Sequence, residues 1–125
     1  MLLRMTNFEQ AQAVYSPFLE RKKRGPDEDT DEFRSIDEPN FLRPLYDYVT
    51  SEQERVARGE TLTEAANFFL SRIFLDLLPD LEAAYIATGK RTLLGVTRTL
   101  WHEIDELMRD ASRLHAIPAE KFPSP

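Results

Sequence analysis

The sequence predicts an all-α fold: a single-domain bundle of four main helices plus one short helix, with a long acidic inter-helix loop and a proline-rich C-terminal tail. Three observations predict it. Apolar residues recur at three- and four-residue spacing along most of the chain. Threonine stands three residues before glutamate ahead of two of these runs, as in a capping box, and glycine or proline closes them. No segment alternates as a half-buried strand would. The length, 125 residues, suits one domain spanning 1–125.

The first helix opens at Thr6, paired with Glu9, and Phe8, Ala11, Tyr15, Phe18 and Leu19 share one face. Pro17 predicts a kink, or a break re-capped by Ser16. Arg21-Lys22-Lys23-Arg24 before Gly25-Pro26 is a stop, with cations at the negative end of the helix dipole. Residues 26–40 have no apolar period and read as the acidic loop. The second helix is expected near Asn40 or Phe41, since Pro44 fits only a first turn. Leu42, Leu45, Tyr46, Val49 and Val56 are its expected buried face, and Arg58-Gly59 its end. Thr61 with Glu64 predicts the next cap. Leu62 to Leu78 is apolar except for a polar stripe of Glu64, Asn67, Ser71, Arg72 and Asp76, which predicts a central helix. Pro79 ends or bends it, and a short helix from Asp80 stops at Gly89. The last helix runs from about Arg91 to His115, with leucine at 93, 100, 107 and 114, and residues 117–125 form the tail. Phe69, Ile73, Leu77, Leu100, Ile104 and Leu107 are expected in the core.

Charge is uneven. The net charge is −6, but residues 26–64 alone hold twelve acidic and four basic side chains. That balance argues against nucleic-acid or anionic-membrane binding. No apolar stretch approaches the roughly 20 residues of a membrane span, and Met1-Leu2-Leu3-Arg4 is too short for a signal peptide, so a soluble cytoplasmic protein is expected. The absence of cysteine excludes disulfides and thiolate chemistry.

Few motifs carry chemistry. Asp27, Asp29, Asp31, Ser35 and Glu38 fall at positions 1, 3, 5, 9 and 12 of a calcium loop, but Glu32 stands where glycine permits the turn. A solvated acidic loop is the stronger account. Arg109-Asp110-Ala111-Ser112-Arg113-Leu114-His115 resembles the arginine–polar–spacer–histidine pattern of HEPN-type ribonucleases. The resemblance covers seven residues and implies Arg109 at a phosphate with His115 in acid–base cleavage. The plainer account is solvent-facing charge, with a histidine favoured at a helix C-terminus. His102-Glu103 begins a zinc signature that Glu106 does not complete; Asp105 and Glu106 instead suit pairing with Arg109. The four glycines form no phosphate loop, and no cofactor is implied.

What remains is surface. The sequence predicts a non-enzymatic protein–protein interaction module: a small regulator, inhibitor, adaptor or toxin-neutralising protein that meets a basic partner through its acidic loop. Asp27, Asp29 and Asp31 would aid encounter, with Phe33, Ile36, Tyr46 and Tyr48 as anchors. The broad apolar face of the last helix also predicts a homodimer.

Overall fold

The computed structural model describes residues 5–24 and 35–115. These form α1 (Asn7–Arg24), a 3-10 turn (Ser35–Asp37), α2 (Arg43–Ala57), α3 (Glu64–Arg72), a π turn (Ile73–Leu77), α4 (Leu78–Thr88) and α5 (Arg91–His115). The fold is all-α, without a strand among the described residues. The tail 117–125 and most of the acidic loop lie outside them.

Local chemistry sets most of the boundaries. Thr6 and Glu9 form a reciprocal capping box: the Thr6 amide donates to Glu9 Oε1 at 2.9 Å, and the Glu9 amide to Thr6 Oγ1 at 3.1 Å. Pro17 does not break α1, which runs through it. Ala13, the residue whose carbonyl loses its helical donor there, lies on the exposed face, where water can replace the donor. α2 and α4 both end in a left-handed glycine, Gly59 and Gly89. In each case the next amide reaches back to the carbonyl five residues earlier, Glu60 to Arg55 and Lys90 to Tyr85, both at 3.0 Å.

Three boundaries differ from the sequence-based expectation. α2 begins at Arg43, with Pro44 in its first turn, so Phe41 and Leu42 belong to the preceding turn. The helical phase is therefore set by Leu45, Val49, Glu52 and Val56, which buries Tyr48 and leaves Tyr46 outside. α3 is capped by Thr63, whose hydroxyl accepts from the Ala66 amide at 3.0 Å, and not by Thr61. The chain does not stop at Pro79. The Leu78 amide reaches five residues back to the Ile73 carbonyl, and Pro79, with no amide hydrogen, follows in the first turn of α4. The π turn thus carries α3 into α4 without interruption.

α1 packs on α2, α2 and α4 on α5, and the π turn on α1. Their buried side chains join in one cluster that holds all six expected core residues. Inside it Phe8, Tyr48 and Phe69 meet with ring centroids 5.5–5.7 Å apart. Two buried tyrosine hydroxyls tie distant segments together. Tyr15 donates to the Phe41 carbonyl at 2.7 Å and accepts from the Leu45 amide at 3.1 Å, so a side chain of α1 caps α2, whose own N-cap Leu42 has no side-chain oxygen. Tyr85 donates to the Ile36 carbonyl at 2.7 Å and fastens the 3-10 turn to α4. Burial pushes both phenols well above their ordinary pKa.

Candidate functional site

Of the residues expected to bind a partner, Ile36, Tyr46 and Tyr48 lie among the described residues, and these three do not share one surface. Asp27, Asp29, Asp31 and Phe33 lie outside the described residues, as does the Ser35 side chain. Glu38 is exposed. Ile36 is in the core, held there by packing and by the Tyr85 hydroxyl on its carbonyl. It is not a surface anchor. Tyr48 is not one either: its ring lies between Phe8 and Phe69, and its hydroxyl donates to Glu52 Oε2 at 2.9 Å. Of the four proposed anchors only Tyr46, 51% exposed, stands on the described surface.

The titratable groups that do cluster are paired. Glu52 is 3% exposed, yet Tyr48 donates to one oxygen and Arg55 Nη1 to the other at 3.1 Å. Arg55 continues to Glu60 at 3.1 Å, and Arg58 closes on Glu60 at 3.0 Å. The Glu60 carboxyl is lowered chiefly by its hydrogen bond from Arg55, and burial with the Glu52 charge beside it raises the Tyr48 phenol. A network so satisfied anchors the end of α2; it has no free base or nucleophile.

On α5, Arg109 pairs with Asp105 at 3.2 Å and His102 with Glu106 at 3.0 Å, each one turn apart. Glu106 thus takes His102 and not Arg109. The His115 side chain lies outside the described residues, as do most oxygens of the calcium-loop pattern. Among the described residues no three acidic or histidine side chains gather as metal ligands, and no helix is long and apolar enough to cross a membrane.

The feature sequence reasoning missed lies between α3 and α5. Phe68 and Leu75, seven residues apart and so on one helical face, are each 65% exposed. Beside them is a groove of about 590 Å³ lined by Phe74, Leu75, Met108, Arg109 and Ser112. Phe74 makes an edge contact with Trp101 at 5.9 Å, and the surface continues from Trp101 to Arg98 and His102. The polar stripe expected on the central helix is therefore interrupted by two large apolar side chains. The signal was present in the Phe68-Phe69-Leu70 run: three successive residues span about 200° of a helix, more than one buried face covers, and Phe68 is the one left outside. Comparison of the chain with protein-family models, curated proteins and solved structures finds no match.

Proposed function

We propose that the chain is a non-enzymatic helical protein-binding module, acting as a small regulator, inhibitor, adaptor or toxin-neutralising protein in the cytoplasm. One observation carries the reading. Phe68 and Leu75 stand in water beside a groove whose walls, Phe74 and Met108, are also apolar. A helix that leaves such side chains out forgoes about 1.5–3 kcal/mol for each, and a partner can recover it. The occupant that fits is an apolar helix edge of another protein, flanked by basic side chains. The chain's −6 charge favours such a partner, and Asp27, Asp29 and Asp31 would speed encounter without forming the apolar contact. Tyr46 and Phe33 remain anchors of a secondary kind in this proposal, whereas Ile36 and Tyr48 drop out of it.

A photo-crosslinking residue placed at position 75 in the native host, with position 99 as control, tests the reading. The expected product is one cross-linked partner protein from position 75 alone, whose purified form binds the wild-type chain and loses Phe68→Asp/Leu75→Asp. Equal cross-linking from both positions, or undiminished binding by the double variant, would sink it. A cross-link to a second copy of the chain, with light scattering at twice 14.5 kDa, would replace the foreign partner by a homodimer. RNA cleavage by the purified protein that is lost in His115→Ala would replace the module by the ribonuclease reading.

A further inference from the structure

A second concavity, of different chemistry, lies toward the other end of α5, on the order of 25 Å from the groove. It is a cleft of about 780 Å³ where the turn before α2, the start of α2 and the start of α5 meet. Leu42, Leu93 and Val96 give it an apolar floor, and the half-exposed ring of Tyr46 borders it. Arg43, Lys90 and Arg91 stand around it against the single carboxylate of Asp37, so its lining is net positive by two in a chain of net charge −6.

Two of these cations are free to meet a ligand. Lys90 and Arg91 take no ion-pair partner among the described residues, unlike Arg43, which Asp47 holds at 3.1 Å. Both sit on the connection between the end of α4 and the start of α5, with exposed side chains. An apolar floor, an exposed aromatic ring and a two-charge surplus together describe a receptor for a small amphipathic dianion. With Arg43 already held by Asp47, the two charges left for a ligand are those of Lys90 and Arg91; a phosphate monoester, close to −2 at neutral pH, can meet both, where a carboxylate would meet one.

We propose that this cleft binds a small organic phosphate, its phosphoryl group between Lys90, Arg91 and Arg43 and its apolar or aromatic body against Tyr46 and the Leu42–Leu93–Val96 floor. The proposal stands apart from the α3–α5 groove and does not depend on it.

Amide NMR titrations of the full chain at constant ionic strength test it, with phenyl phosphate, inorganic phosphate and benzoate as probes. Phenyl phosphate is expected to shift the amides of residues 40–43 and 90–93 saturably, and to bind about tenfold more tightly than either other probe. Lys90→Ala/Arg91→Ala should weaken phenyl phosphate by about tenfold or more, with an unchanged thermal melt because both side chains are exposed. Tyr46→Ala should weaken phenyl phosphate several-fold while leaving inorganic phosphate unaffected. The proposal is overturned by the absence of saturable shifts at these residues. Equal affinity for inorganic phosphate would overturn the role of the floor, and equal affinity for benzoate that of the dianion. Unchanged binding by the double lysine–arginine variant would remove the site altogether.

Discussion

The region around Tyr15, Tyr48 and Tyr85 and the face between α3 and α5 use aromatic side chains in opposite ways. In the first, three rings are fully buried and every hydroxyl has a partner: the Phe41 carbonyl, Glu52 and the Ile36 carbonyl. Among the described residues no buried side-chain nitrogen or oxygen is left without a hydrogen bond. In the second, Phe68 lies out in water and Trp101 is only partly covered. The difference separates what folding needs from what folding leaves over. Tyr15 and Tyr85 hold together segments 26 and 49 residues apart, which is a stabilising role. Phe68 and Leu75 hold nothing.

That contrast can be broken from either side. The largest effect is expected from Ile73→Asp, which puts a charge at a fully buried position. The cost, upward of about 4 kcal/mol, should leave the chain unfolded by circular dichroism at 25 °C. Next is Tyr15→Phe, which deprives both the Phe41 carbonyl and the Leu45 amide of their partner in a buried setting. A loss of about 1–3 kcal/mol with an unchanged m-value is expected in urea. If the loss were nil, the tyrosine cap on α2 would have no energetic meaning.

Smaller changes sharpen the comparison. Gly89 has φ +70° with open space where a Cβ would be, so Gly89→Ala should cost about 1 kcal/mol from backbone conformation alone. The carboxyls of Glu9 and Glu60 are both lowered, by the Thr6 amide and by Arg55 respectively. A lowered folded pKa means the native state binds fewer protons than the unfolded one in that window. Their contribution is therefore complete above the ordinary carboxylate value, about 4.3, and is lost as pH falls through the lowered values. Melting temperature followed from pH 6 downward should show this acid limb, and Glu9→Gln/Glu60→Gln should flatten it. The smallest effect is expected from Phe68→Ser and Leu75→Ser, each within about 0.5 kcal/mol of the wild type by thermal melt. A large destabilisation there would show that these side chains belong to the fold after all.

What could be read in the sequence was local. The Thr6–Glu9 box, the glycine stops at 59 and 89, the span of α5 and six core positions depend on neighbours within a few residues. Errors arose where two local signals competed. Thr61-Leu62-Thr63-Glu64 offers two caps, and Ala66 decides for the second. Counting from Leu42 places Tyr46 on one flank of the buried face of α2 and Tyr48 on the other, and the fold buries Tyr48. The tyrosine ties escaped because each hydroxyl finds its carbonyl across the molecule. The burial of Ile36 escaped with them, since its short apolar context looks like a loop until Tyr85 supplies the bond. The α3–α5 groove needs side chains from two helices whose pairing no local spacing specifies.

The π turn has one more consequence, for the rhythm of the helix that contains it. From Ala66 the buried positions fall at Phe69, Leu70 and Ile73, an ordinary α-helical beat. Continued without change, that beat would bring residues 80 and 84 inward. Beyond Leu77 the inward positions are instead Leu78, Leu81 and Tyr85. The pattern resumes one residue late, as though a single amino acid had been slipped into the rod and stored in the wide turn between Ile73 and Leu77. The stored residue turns the downstream half by roughly 100° relative to the upstream one, as counted along the sequence. It is this phase slip that lets Tyr85 reach the Ile36 carbonyl from one end of the rod while Phe68 faces water at the other.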